Sequence, residues 1–220
     1  MSVAIAMAAT EIVNAVQKAL DEDHNKKRGF TQTVDLAINL KDIDMNEPSN
    51  RIDEEIHLPA GRGEDAQVGV FGSGEMALNA KDVADAVFSP DDIEELADDP
   101  DKAKDIAETY DFFIAAAPLM PAIGKNLGRF LGPRGKMPSP VPPTVDIAEE
   151  VERLRHTSRV RSKSATTFHC RVGMETMNPE DIADNVSAIL KVLEENLERG
   201  RNNINAIYVK TTMGKPVEVV

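Results

Sequence analysis

From Thr33 to Leu40 the chain alternates strictly, with Val34, Leu36, Ile38 and Leu40 facing one way and Thr33, Asp35, Ala37 and Asn39 the other. A period of two with one apolar face predicts a half-buried strand. Ile52, Glu54, Ile56 and Leu58 share one face of a second strand, after which LPAGRG (58–63) reads as a turn or linker. Upstream, Ile12, Val13, Val16 and Leu20 recur at helical spacing and predict an amphipathic helix over 10–22 with Thr10 as its N-cap. Beyond residue 66 the texture changes. Val68, Val70 and Phe71 form a short apolar strand, GSGEMA (72–77) opens a helix, and DFFIAAA (111–117) is a buried strand followed by another helical stretch. A helix from Thr144, its N-cap, to about His156 closes this region. Alternation resumes from Thr167 to Val172, a long helix runs from Pro179 to about Arg199, and a last strand from Ile204 to about Lys210.

Strand and helix alternate in the middle of the chain, which suggests a small α/β domain. The two outer segments are each too small to make a domain alone. Together, 1–66 and 158–220 read as one split two-layer α/β domain, interrupted by an inserted domain over 67–157 and joined to it near 59–66 and 157–160.

At 220 residues the chain can bury a sizeable core, and no apolar run approaches the roughly 20 residues of a membrane span. The opening MSVAIAMAAT has no basic flank and runs straight into the first helical pattern, so no secretory signal and a cytoplasmic location are expected. Cys170, the only cysteine, excludes an internal disulfide and a CxxC zinc cluster. No cofactor and no metal are expected.

The net charge of -13 argues against a simple electrostatic nucleic-acid binder, but it is unevenly spread. Residues 1–65 carry -6, 66–158 carry -8 and 159–220 carry +1, so the last segment escapes the acidity. Residues 91–111 hold 10 acids against Lys102 and Lys104, which reads as a solvated helix face, as an acidic partner site, or as a surface made for concentrated salt.

Several chemistries can be tested on the residues. Gly72, Gly74 and Ala77 satisfy G-x-G-x-x-[GA] between a strand and a helix, with Asp91 or Asp92 near the acidic spacing of a dinucleotide site. Only Ala86, Val87 and Phe88 precede a Ser-Pro turn there, short for the second buried strand that such a site needs. The glycines then serve tight strand-to-helix packing, and a nucleotide-dependent enzyme is the alternative reading. A P-loop fails, because Gly135-Lys136 is followed by Met137. His169 and Cys170 are neighbours on a strand and point to opposite faces, so they form no dyad. His24, His57 and His156 lack metal-ligand spacing.

The stretch LGRFLGPRGKMPSPVPP (127–143), broken by glycines and prolines, reads as an exposed loop carrying Arg129, Arg134 and Lys136. KTTMGKP (210–216) ends a strand in hydroxyls, a thioether and a glycine that leaves backbone open to close approach, or it is a plain strand-end turn.

FTQTVDLAINLKDID (30–44), LGPRGKMPSPVP (131–142) and YVKTTMG (208–214) resemble the archaeal branch of the large-subunit ribosomal protein one family, the protein of the mobile ribosomal stalk. The likeness covers nearly the whole chain in one order. It implies that the inserted domain is Rossmann-like and three-layered and that a hinge joins the two domains; no residue set in the chain supports catalysis. It implies binding to the stalk region of large-subunit ribosomal RNA near the tRNA exit site, with contact to exiting tRNA. Translational repression through the protein's own messenger RNA leader is implied as well. Phe30, Thr33, Thr212, Met213 and Gly214 carry over to the binding face, with His169 near it and Glu11 as a looser correspondence.

Physical chemistry agrees with that set, because RNA is told from DNA by its 2′-hydroxyls and its folded shape, which small hydroxyls, exposed backbone and a flat apolar contact can read. Phe30 either stacks on a base or sugar or packs behind Thr33. Arg171 and Lys210 join the binding set, and Arg28, Lys163 and Lys215 would position phosphates, with Arg129, Arg134 and Lys136 as further secondary contacts. A monomer off the ribosome and a salt-adapted archaeal source complete the expectation.

Overall fold

The computed structural model describes residues 3–142 and 145–219, and of residues 3–9 the backbone alone. The chain forms two compact units, Met1–Glu64 with His156–Val220, and Asp65–Arg155.

In the first unit β1 (Thr33–Leu40) lies between β8 (Thr167–Met174) and β9 (Ile204–Thr211), both antiparallel to it, with the short β10 (Val217–Glu218) outside β9. The alternation of β1 is realised residue by residue: Val34, Leu36, Ile38 and Leu40 are buried, and Thr33, Asp35, Ala37 and Asn39 stay partly open. The buried set packs on Ile12, Val16 and Ala19 of α1 (Val3–Leu20) and on Ile182, Val186, Ile189 and Leu193 of α8 (Pro179–Asn196). Each fully buried Leu or Ile contributes roughly 1.5–3 kcal/mol, so the sheet is held from this side and its other face remains open. A two-stranded ribbon of β2 (Asp53–His57) and β7 (Thr157–Arg161) completes the unit.

The inserted unit is a parallel sheet in the order β4 (Ala86–Phe88), β3 (Val68–Phe71), β5 (Phe112–Ala116), β6 (Ser139–Val141). Phe71, Phe113 and Ala115 point to α3 (Pro90–Asp98), α4 (Pro100–Thr109), α5 (Met120–Asn126) and α6 (Gly128–Arg134). Val68, Val70, Phe112 and Ile114 point the other way, to α2 (Glu75–Ala80) and α7 (Ile147–Arg155). Parallel strands covered on both faces make three layers, a Rossmann-like arrangement.

Several local expectations change. α1 begins at Val3, leaving Thr10 inside the helix, because the alanine-rich segment before it propagates helix well. The expected cap at Thr144 lies outside the described residues. Thr157 pairs with His57 and so belongs to the terminal unit, whereas Ala66 is buried in the inserted core and its N–H bonds Arg155 O. Over its described residues, 127–142, the stretch expected as an open loop is mostly helix and strand. Phe130 and Leu131 of α6 are buried, and the helix closes at Gly135, whose φ of 73° lets its own N–H reach Gly132 O and that of Lys136 reach Leu131 O. Pro140 then sits in β6, an edge strand, where a missing N–H is tolerated.

Candidate nucleic-acid interface

The N-terminal end of β1 and the C-terminal end of β9 are neighbours, and Val34 pairs with Thr211. That pairing brings Thr33 and Thr212, 179 apart in sequence, into contact. Thr212 N–H donates to Thr33 O (3.0 Å), Thr33 N–H donates to Thr212 Oγ1 (3.2 Å), and the two hydroxyls lie 2.8 Å apart. Phe30 and Met213 stand 53% and 59% exposed, which a packing role for Phe30 behind Thr33 does not fit. Two apolar side chains and a hydroxyl pair therefore share one exposed corner of the sheet.

The open face continues from this corner. Asp35 is in register with Arg171 on one side and Lys210 on the other, and in the next row Ala37 lies between His169 and Tyr208. Burial pushes the Asp35 carboxyl above its ordinary range, against the opposing pull of Lys210, His169, the Thr33 hydroxyl and Arg171. Arg171 also meets Glu64 (3.3 Å). Cys170 points inward as expected, and burial drives its thiol up to about 12, so it is a core residue without nucleophilic character.

Gly214 is explained from behind. A Cβ there would collide with the Thr211 hydroxyl and stand 2.9 Å from the His24 carbonyl oxygen. The turn folds back on its own chain, and that close approach requires glycine whatever lies in front.

The remaining expected residues are dispersed. Arg28 is exposed two residues before Phe30. Lys163, at φ 50°, sits on the turn before β8, and the length of that strand puts it roughly 20 Å or more from Thr33. It lines a shallow cleft with Arg51 and Arg161, a basic group that the sequence reading did not assemble. Arg129, Arg134 and Lys136 belong to the inserted unit, where they bond Ala97 O (3.1 Å), Glu108 (2.8 Å) and Tyr110 O (2.8 Å). They finish helix ends and pair α6 with α4, so no open basic loop exists there. Glu11 is exposed on α1.

The glycine-rich alternative meets three obstacles. A Cβ on Gly72 would lie 3.2 Å from Ala77 N, the tight strand-to-helix packing expected. β4 does supply a second parallel strand, and Ser89 after it begins a helix rather than a turn. Asp92 is spent there, since its carboxylate accepts from Ser89 N (2.7 Å) and Ser89 Oγ (2.8 Å) in a capping box of α3. Among the described residues the cleft beyond these strands, about 560 Å³, is lined by Glu75 and Asp146 and by no cation, the wrong sign for a pyrophosphate.

The family described as Ribosomal protein L1p/L10e matches residues 16–215. The chain is 54% identical over 211 residues to the large ribosomal subunit protein uL1 of Haloquadratum walsbyi, covering 96% of this chain and 99% of that protein. The protein of the same description from Haloferax volcanii is 53% identical over 211 residues, covering 96% and 99%. That of Methanocella arvoryzae is 53% identical over 215 residues, covering 97% and 100%.

Proposed function

This chain belongs to the ribosomal protein L1p/L10e family, and from that premise we propose that the corner of Thr33 and Thr212 binds a folded segment of stalk-region large-subunit ribosomal RNA. A structural ribosomal role, without catalysis, is what membership establishes. The observation that carries the finer reading is the hydroxyl pair flanked by exposed Phe30 and Met213. Hydroxyls answer 2′-hydroxyls, and a flat ring and a thioether answer sugar and base faces. Arg28, His169, Arg171, Lys210 and Lys215 line the approach and hold phosphates without reading sequence.

A face that reads shape accepts any RNA presenting the same fold, which supports binding to the protein's own messenger RNA leader and repression of its translation. Placement near the tRNA exit site, with contact to exiting tRNA, completes the proposal, as does a single chain as the binding form in the cytoplasm. The acidity of 91–111, together with the halophilic genera of two relatives, supports adaptation to concentrated salt.

The test is binding of the full chain to a stalk-region ribosomal RNA fragment in molar potassium chloride, beside a DNA strand of the same sequence. RNA retention with loss of the DNA is expected. Equal binding of both, or none, overturns the assignment.

A further inference from the structure

Behind the turn at 212–214 lies a chain of amides and one carboxylate drawn from three distant segments. Gln32 is fully buried. Its Oε1 accepts Met213 N–H (2.9 Å), and its Nε2 donates to Asn25 Oδ1 (2.5 Å) and Glu175 Oε2 (3.2 Å). Asn25 Nδ2 donates to Glu175 Oε2 (2.8 Å), and Asn25 Oδ1 also accepts the Thr211 hydroxyl (3.0 Å). Backbone ties lock the same pieces: Gln32 N–H to Glu175 Oε1 (3.0 Å), Glu175 N–H to Gln32 O (3.0 Å) and Lys215 N–H to His24 O (3.0 Å).

We propose that Glu175, acting through Asn25 and Gln32, is the positioning residue that sets the Thr212–Gly214 turn for RNA, an inference that rests on the reading that this turn touches RNA. The direction of the network is fixed at both ends, by Glu175 on one side and on the other by the Met213 N–H, which only donates. An ionised carboxylate only accepts, whereas each amide has an accepting and a donating end. Glu175 therefore forces the NH2 groups of Asn25 and Gln32 toward itself. That leaves the Asn25 oxygen for Thr211 and the Gln32 oxygen for Met213. Partial burial opposes ionisation of Glu175, but the three hydrogen bonds from Asn25 and Gln32 prevail and hold its carboxyl below the usual range. The carboxylate thus orients two amides, and the second amide holds the backbone that carries Met213.

The test compares Glu175→Gln, Gln32→Ala and the exchanged pair Asn25→Asp with Glu175→Gln, using the stalk-region ribosomal RNA fragment and the full chain. Glu175→Gln keeps shape but lets the amides turn over. The pair restores a carboxylate that accepts from residue 175, Gln32 and Thr211. Each single variant is expected to weaken RNA binding about tenfold and to shift the Met213 amide resonance, and the exchanged pair to recover most of both. Single variants that keep their melting temperature, RNA affinity and Met213 resonance overturn the proposal, as does a folded exchanged pair that recovers neither. Where a single variant does not fold, the exchanged pair decides alone. Thr212→Val, measured alongside, separates the two readings: if it too leaves RNA binding unchanged, the turn is not the RNA site.

Discussion

The hydroxyl of Thr33 lies 2.8 Å from that of Thr212, and the Thr212 oxygen also accepts the Thr33 N–H at 3.2 Å. Each hydroxyl oxygen is held in place by the other and by the paired backbone, so the two are presented together at a fixed spacing. Preorganisation of this kind lowers the ordering cost of binding.

Thr212→Val keeps the shape and removes that oxygen. Because residue 212 is exposed, unfolding stability should change by less than about 1 kcal/mol, while affinity for the stalk-region RNA falls about tenfold. Thr212→Ser should restore most of it. Calorimetry and filter binding on the three proteins check this.

Gly214→Val should act on the protein before it acts on RNA. The new Cβ meets the Thr211 hydroxyl and the His24 carbonyl, and the latter is backbone that cannot swing aside. A loss of roughly 1–3 kcal/mol in stability is expected, together with loss of RNA binding, and is read by denaturant titration and direct binding. A fully stable variant that still fails to bind would place the glycine's role in front of the turn instead.

Asp35→Asn should strengthen RNA binding. The carboxylate stands between Arg171 and Lys210 on the open face, where phosphates would compete for the same cations. Removing it should raise affinity about threefold to tenfold. Its folded value lies above the ordinary 3.8, so the protonated form is the one folding favours. The stability this contributes is present below that ordinary value and is lost as pH rises through the folded value. The variant should therefore lack this loss on the acid side of neutrality, which melting curves across pH would show.

Salt should stabilise the chain. Lys102 and Lys104 on α4 meet Glu95 (2.8 Å) and Asp101 (3.0 Å), and Arg134 meets Glu108 (2.8 Å), yet ten acids crowd 91–111. Exposed pairs of this kind are worth little, and the surplus repulsion is what ions screen. The melting temperature should rise by about 5–10 °C from dilute buffer to molar potassium chloride. RNA affinity should decline only shallowly over the same series. Maximal stability in dilute buffer would refute the salt adaptation alone.

Where burial follows period, the sequence was a faithful guide. Val34, Leu36 and Ile38 on β1 lie as their alternation requires, and the apolar run of β5 is the buried strand expected. Punctuation misled. Gly132, Pro133 and Pro140 look like loop residues, but a short helix with a left-handed closing glycine and an edge strand can both hold them. Thr33, Thr212 and Met213 were legible through a family likeness. Asn25 and Glu175 were not, because their bonds to Gln32 and to each other span 7, 143 and 150 residues and leave no local trace. One signal did exist. Gln32 continues the buried phase of Val34, Leu36 and Ile38, and an amide in that phase must find partners inside.

The central strand of the terminal sheet is made early and its partners late. β1 ends at residue 40, but β8 and β9 follow only after the whole inserted unit has been synthesised. At ordinary elongation rates of 5–20 residues per second, β1 waits roughly 10–30 s for β9. During that interval the inserted unit can fold, while the β1–β9 pairing that builds the proposed RNA site does not yet exist. The hydroxyl of Thr33 acquires its neighbour only when residue 212 has been joined. The proposed RNA site is thus incomplete on a nascent chain until residue 212 has been added, so the order of the elements times its assembly.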